Sequence, residues 1–127
     1  VMALSAVPDA PDQLVALALL RGRMCELLGR AADDEERDRL FTVGLLSVAD
    51  ALLDAPMEEV LDSLPLSDEI KGALLRHEGR RGRVLSTVLG YEQGHFPEGA
   101  DGDPTELADA YLVALRWADE AGRWIGE

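Results

Sequence analysis

The chain has 127 residues, which suits one domain with a usable core, and its hydrophobic content of 47% argues against wholesale disorder. Its 25 acidic and 12 basic residues give a formal net charge of −13, so nucleic acids and anionic membrane surfaces would be repelled. No apolar run approaches the roughly 20 residues of a membrane span, and Cys25, the one cysteine, permits no internal disulfide. We therefore expect a cytoplasmic protein that binds neither nucleic acid nor membrane.

Apolar periodicity and breaker residues predict an all-α fold of about six helices. The chain opens with the apolar stub VMALSAV, which is typical of the last turns of a helix whose body lies upstream. The six predicted helices cover residues 11–32, 33–53, 57–64, 67–76, 81–92 and 103–124. The first of them is apolar on every side from Leu14 to Leu20, as expected for a central helix buried by several neighbours.

The predicted domain organisation is set by one Gly- and Pro-rich stretch. Gly94, Pro97, Gly99 and Gly102 fall within nine residues, a composition that does not support regular structure. We therefore predict a main helical region over residues 1–95, a linker over 96–103, and a C-terminal helix over 104–127 that packs on the same domain.

No catalytic, metal-binding or cofactor-binding residues are predicted. His77 and His95 are the only histidines, and neither is followed by Asp, whereas a metal-dependent helical phosphohydrolase needs several His and Asp ligands from facing helices. Two nearby arginines could activate Cys25, but Cys25 falls on a stripe with Leu17 and Leu28 that should face the core. A small buried residue is therefore the favoured interpretation of Cys25.

A basic cluster interrupts this acidic chain. Arg76, Arg80, Arg81 and Arg83 fall within eight residues. Their guanidinium groups could bind an anion or an acidic partner surface. Alternatively, they form a solvated corner between helices whose cations complement a helix C-terminus. The residues alone leave both readings open.

A second polar group lies in apolar surroundings. Asp50 is flanked by Leu45–Ala49 and Ala51–Leu53, so its carboxylate is expected to be buried and to need a cationic partner. Arg21 and Arg23, which lie among apolar residues of the first helix, are the predicted partners. This predicted pair is architectural rather than catalytic.

Three segments resemble a known family. These are RGRMCELL at 21–28, FTVGLLSVADALLDAPMEEVLDSLPLSDEIKGALL at 41–75, and the Glu78–Gly94 series that ends in VLGYEQG. In this order and spacing they are similar to the HD-related output domain, HDOD, and most similar to the version at the C-terminus of EAL–HDOD signalling proteins. The resemblance covers residues 1–95.

The resemblance implies an HD-related helical bundle that has lost the metal-binding His and Asp residues and acts through protein contacts. A complete domain of this kind is longer, so the chain is expected to be the C-terminal part of one. The implied function is a non-enzymatic output module whose partner is a protein or a neighbouring EAL-like domain, in cyclic-di-GMP signalling. Two alternatives stay open: an HD-type metal-dependent phosphohydrolase remnant or nucleotide-binding domain, and the ligand-binding half of a helical transcription regulator.

A fragment of such a domain would lack part of the cover of its first helix. Exposed apolar area above a few hundred Å² usually recruits a partner, and a second copy is the simplest partner for a fragment. We therefore expect a homodimer that contacts through the first helix and the N-terminal stub, with Met2, Leu4 and Val7 at or near the contact.

Overall fold

The computed structural model describes residues 11–29, 32–94 and 104–126, without the side chains of 11, 12, 104 and 122–126. Over these residues the chain forms seven helices and no strand, which confirms the all-α prediction. The helices are α1 (Pro11–Leu28), α2 (Asp34–Leu46), α3 (Ala49–Leu53), α4 (Met57–Asp62), α5 (Asp68–Arg76), α6 (Gly79–Glu92) and α7 (Pro104–Gly126).

The helix predicted over residues 33–53 is divided into α2 and α3. The break lies at Ser47, whose hydroxyl donates to the Gly44 carbonyl oxygen at 2.6 Å and competes with the regular backbone ladder. The Ser47 N–H also bonds the Gly44 oxygen, so the last turn of α2 tightens. Serine bonds of this kind bend or end helices, and Asp33 caps the other end of α2 by accepting from the Glu36 N–H at 2.8 Å.

Two glycines allow α1 and α2 to cross in close contact. A Cβ atom added to Gly44 would lie 2.5 Å from the Arg21 carbonyl oxygen and 2.7 Å from the Cα of Gly22. A Cβ atom on Gly22 would lie 2.9 Å from the ring of Phe41. The absence of side chains at both positions therefore sets the separation of the two backbones.

The core is built around α1, which packs against α2, α6 and α7. Its largest fully buried side chains come from five helices: Met24, Leu40, Leu61, Leu85 and Leu107. The helix α7 lies along α1 and contributes Leu107, Ala114 and Ala118 to the same core cluster. Within the predicted central segment of α1, Ala16 is exposed, whereas Leu14 and Ala18 to Leu20 are buried.

Aromatic contacts fix α7 at two points. The Trp117 ring meets Phe41 of α2 edge-on, with 5.9 Å between ring centroids. Tyr111 packs against Tyr91 of α6 at 5.3 Å. Such pairs stabilise beyond the area that the rings bury, so α7 is held against α2 and α6 as well as against α1.

The α5–α6 connection is a tight turn. Ser67, at the predicted start of this helix, caps α5 by accepting from the Ile70 N–H at 3.2 Å. The helix ends at Arg76, and His77 adopts a left-handed conformation with φ of 54°. The next helix begins at Gly79, two residues before the predicted start. A Cβ atom on Gly82 would collide with the His77 backbone, so glycine is needed for this turn to close.

Several predictions fall on residues that the structure does not describe. They are the contact residues Met2, Leu4 and Val7, the linker 96–103 and His95. Within the described ranges, no helix is both long enough and apolar enough to cross a membrane. The homodimer and the domain division stay predictions.

Candidate interaction surfaces

The one histidine within the described ranges stands apart from other metal-binding residues. His77 is exposed at the end of α5. No group of three or more His, Cys, Asp or Glu residues in the described part of the chain is placed to hold a metal ion. The described ranges therefore contain no set of side chains that could serve as the ligands of an HD-type metal centre.

Cys25 is a core residue, as the sequence predicted. Its side chain is fully buried. Burial raises the pKa of the thiol to about 12, against the opposing effect of Arg21. Since the thiolate is the nucleophilic form, Cys25 is a neutral and unreactive packing residue at physiological pH.

Arg21 links three helices through a largely covered polar contact, but with a partner other than the predicted one. Its Nε and Nη2 atoms both donate to the Glu92 carboxylate, at 3.0 and 2.9 Å. Its Nη1 atom donates to the Ser47 hydroxyl at 3.3 Å. The Arg21 side chain is only 16% exposed. This guanidinium therefore ties α1 to the C-terminal end of α6 and to the break between α2 and α3.

The predicted pairing of Asp50 with Arg21 or Arg23 is wrong. Asp50 is partly exposed, its Oδ1 atom accepts from the Ala51 N–H at 2.9 Å, and it forms no ion pair with a described cation. The break at Ser47 places Asp50 in the first turn of α3, where free N–H groups and the helix dipole favour a carboxylate. The carboxylate is therefore stabilised locally and needs no arginine.

Arg23 pairs within its own helix. Its Nη1 atom donates to Glu26 at 2.9 Å, and its guanidinium lies over the Trp117 ring at 5.5 Å from the centroid. The Nε atom is buried and has no hydrogen-bond acceptor among the described residues. The contact with the electron-rich face of the indole partly offsets the missing hydrogen bond of this atom. Arg23 therefore helps to position α7.

In the basic corner, which we define as Arg76, Arg80, Arg81 and Arg83, the central arginine belongs to the structure. Arg81 binds Glu36 of α2 in a bidentate pair, at 2.7 and 2.8 Å, and approaches Glu69 of α5 at 3.7 Å. The hydrogen bond from Arg81 holds the pKa of Glu36 below its ordinary value. Arg81 thus joins α6 to α2 and is already occupied by carboxylates.

The other arginines of the basic corner differ from one another. Arg76 binds Glu78 at 2.7 Å on the surface, and this bond lowers the pKa of Glu78. Arg80 and Arg83 are exposed and form no ion pair with a described carboxylate. The predicted anion or partner patch therefore stays a prediction for these two arginines.

A concavity of about 260 Å³ lies beside the basic corner. It is lined by three carboxylates as well as by Arg80 and Arg81; the carboxylates belong to Glu36, Glu69 and Glu78. The four arginines of the corner therefore do not converge on one anion cradle.

Neither of the two principal ion pairs has a local signal in the sequence. Arg21 and Glu92 are 71 residues apart, and Arg81 and Glu36 are 45 apart. Both carboxylates lie in polar segments, where a charged side chain is expected to be solvated and needs no protein partner. Only the packing of α6 on α1 and α2 brings these residues together.

A different surface lies where α3 meets α4, and we define it as the acidic corner: Asp50, Leu52, Leu53, Asp54, Glu58 and Glu59. The side chains of Leu52 and Leu53 are 40% and 65% exposed. Asp54, Glu58 and Glu59 are all exposed. The two helices are joined by only three residues and pack on each other, so these groups share one small region.

The helix α7 carries a second set of exposed apolar side chains. Leu112 is 63% exposed and Leu115 is 43% exposed, and at helical spacing they lie on one side of α7 with Tyr111. One exposed acid, Asp109, and one exposed cation, Arg116, lie on the adjoining side. This α7 face therefore combines apolar groups with charges of both signs.

Comparison with known proteins gives two partial matches. The chain is 31% identical over 113 residues to the uncharacterised protein YuxH of Bacillus subtilis. It is also 31% identical over 123 residues to the cyclic di-GMP phosphodiesterase CdgJ of Vibrio cholerae. No family model and no solved structure matches the sequence.

The matches are nearly complete for this chain and partial for the relatives. They cover 86% and 91% of this chain, but only 28% of the length of each relative. The chain thus spans less than a third of the length of the curated relatives it matches.

Proposed function

We propose that this chain is an HDOD-like output module of bacterial cyclic-di-GMP signalling, which acts by binding a protein and not by catalysis. The observation that carries the proposal is the similarity of 91% of the chain to 28% of a cyclic di-GMP phosphodiesterase. Hydrolysis of the dinucleotide then belongs to another part of such proteins. The module binds the neighbouring catalytic domain or a separate protein.

The disposition of polar groups supports a binding role. The two bidentate pairs, Arg21 with Glu92 and Arg81 with Glu36, connect helices and indicate a structural role. Cys25 is buried and neutral. By contrast, large apolar side chains are exposed on two surfaces, at Leu53 and at Leu112. Exposed apolar groups next to charged residues are typical of protein contact sites.

The two alternative functions find no specific support. A phosphohydrolase of the HD type would need several His and Asp metal ligands on facing helices. A ligand-binding regulator would need an apolar pocket between the first two helices, where Gly22 and Gly44 instead bring the backbones into contact. The exposed apolar surfaces favour the binding module over both.

The proposal is tested by two measurements on the purified chain. The first is turnover of cyclic di-GMP with added Mg²⁺ or Mn²⁺, for which we expect none. The second is calorimetric titration with the catalytic domain of a cyclic-di-GMP phosphodiesterase, for which we expect saturable binding. Turnover that depends on a metal retained through gel filtration would overturn the proposal, as would the absence of binding to any signalling protein of this class.

A further inference from the structure

We propose that the acidic corner is the docking site for a basic segment of the protein partner that carries at least one large apolar side chain. This inference rests on the proposed function, because it identifies the surface and the partner chemistry of the binding module. Two observations carry it: the exposed leucine pair and the unbalanced charge around it.

The leucine pair supplies the apolar contact. Leu53 is the most exposed large hydrophobic residue among those described, and Leu52 adjoins it. The segment ends at Asp54, which adopts a left-handed conformation with φ of 52°. Asp54 closes α3 after five residues and turns the chain into α4. Leu53 is therefore presented at the end of a helix and not along a packed face.

The charge around the leucine pair is of one sign. Residues 40–70 contain seven acidic residues and no basic residue. Only Asp62 among the acids of α3 and α4 forms an ion pair within the described ranges, with Lys71 at 3.7 Å. The pKa of Arg76 is raised chiefly by its hydrogen bond to Glu78 and least by the charge of Glu58, which forms no ion pair with it. The acidic corner therefore keeps most of its negative charge for a partner.

Charge complementarity selects the occupant. A two-fold symmetric contact between two copies would place this corner against itself, acid against acid. Nucleic acids and anionic membranes would meet the same repulsion. A segment rich in Lys or Arg would be attracted, and its apolar side chain would cover Leu53. The partner is thus a basic, amphipathic protein segment.

The same reasoning does not extend to the α7 face. Leu112 is as exposed as Leu53, but Arg116 and Asp109 on the same helix give that face both signs of charge. No single partner chemistry follows from it. The α7 face therefore serves as the matched control for the acidic corner.

The test uses the full chain and a synthetic basic amphipathic helical peptide of Lys and Leu, with a Gln-for-Lys version as the neutral probe. Binding is measured by fluorescence anisotropy at about 50 mM and about 300 mM salt, which differ in charge screening. The site variant combines Leu53→Ser, Glu58→Gln and Glu59→Gln. The control variant combines Leu112→Ser, Asp109→Asn and Glu120→Gln. Asp109 and Glu120 are both exposed on α7, so this variant removes the same charge and a similarly exposed leucine.

We expect the site variant to bind the basic peptide about tenfold or more weakly, because it lacks both the apolar anchor and the charge. The control variant should lose less than about twofold. Equal weakening in both variants would mean that only net charge attracts the peptide and would overturn the inference. Unchanged binding by the site variant would overturn it as well.

Failure of this inference is separable from failure of the proposed function. The site variant is also titrated with the phosphodiesterase domain of the earlier test. If the domain binds parent and site variant equally well, the acidic corner is not the docking site, although the module still binds a signalling protein. Circular dichroism of both variants controls for folding, which exposed substitutions should leave intact.

Discussion

Charged side chains form ion pairs at the interface of α1, α2 and α6, whereas the carboxylates of the acidic corner form none within the described ranges. At the interface, Arg21 binds Glu92 and Arg81 binds Glu36, so each cation links two helices through a bidentate contact. At the acidic corner, Asp54 and Glu58 have no such partner within the described ranges. The difference separates charge that holds the fold from charge that is available to a partner.

The comparison also shows why a cluster of like charges is a poor guide to function. The basic corner has four arginines within eight residues, yet its central member is occupied by two carboxylates from other helices. The acidic corner has no equally dense run, but none of its carboxylates forms an ion pair within the described ranges. Long-range packing decides which charges remain available. If the comparison is correct, changes at the interface should cost stability, and changes at the acidic corner should not.

The largest effect is expected from Gly44→Ala at the α1–α2 crossing. Its Cβ atom would meet the Arg21 carbonyl group at 2.5 Å, and backbone atoms cannot rotate away. We expect a loss of about 3 kcal/mol in the free energy of unfolding, even though alanine favours a helix by about 1 kcal/mol. Urea denaturation measures this loss.

Gly72→Ala is the matched control for the crossing. Its Cβ atom would meet the end of the Glu78 side chain, which can move aside. The free energy of unfolding should therefore be unchanged or slightly higher. A Gly44→Ala variant as stable as the Gly72→Ala variant would show that α1 and α2 do not cross in backbone contact.

The second effect is expected from Arg21→Gln. The substitution removes the bidentate pair with Glu92 and leaves the Ser47 hydroxyl without its arginine donor. Hydrogen bonds to charged groups are worth more than neutral ones, so the free energy of unfolding should fall by about 2 kcal/mol. A double-mutant cycle with Glu92→Gln separates the pair energy from other effects.

The surface pair gives the control for Arg21. Arg76 binds Glu78 in full contact with water, and Arg76→Gln should leave the melting temperature unchanged because exposed pairs contribute little. If Arg21→Gln were equally harmless, the link between α1 and α6 would be a surface contact as well.

Local signals in the sequence were sufficient for much of the fold. The cap at Ser67, the helix ends at Arg76 and Glu92, and the burial of Cys25 all follow from residues within one or two helical turns. Capping, periodicity and breaker residues act over that distance. They therefore predict whether a helix forms and where it lies in the sequence better than they predict which other helices it contacts.

The partners of the charged residues depend on distant parts of the chain. The sequence pattern places Ser47 inside one continuous helix. In the structure its bond to Gly44 and its contact with Arg21, 26 residues away, separate α2 from α3. The separation puts Asp50 at a helix start, which removes the reason for an arginine partner. One unpredicted break thus accounts for both the extra helix and the wrong pairing.

The third effect is a pH dependence at Glu36. Arg81 holds the folded-state pKa of Glu36 below the ordinary value of 4.5. The stabilisation is therefore present above that value and is lost as the pH falls through the lowered folded-state pKa. We expect Glu36→Gln to cost about 1 kcal/mol near neutral pH.

The acid dependence of the melting temperature distinguishes this pair from others. Between about pH 6 and about pH 3, the melting temperature of the parent should fall more than that of Glu36→Gln, because only the parent loses this ion pair. Glu35→Gln is the control, since Glu35 is an exposed neighbour 3.6 Å from Arg39. Parallel curves for the parent and Glu36→Gln would contradict the bidentate pair.

The smallest effect is expected at the acidic corner, from Leu53→Ala. Leu53 is 65% exposed, so truncation removes little buried area, and the free energy of unfolding should change by less than about 0.5 kcal/mol. Leu61→Ala provides the contrast, because Leu61 in the neighbouring helix is fully buried. Its truncation should lower the free energy of unfolding by about 3 kcal/mol. A loss above about 1 kcal/mol for Leu53→Ala would mean that the chain itself covers this leucine. In that case the acidic corner would be part of the fold, and the distinction between structural charge and available charge would fail there.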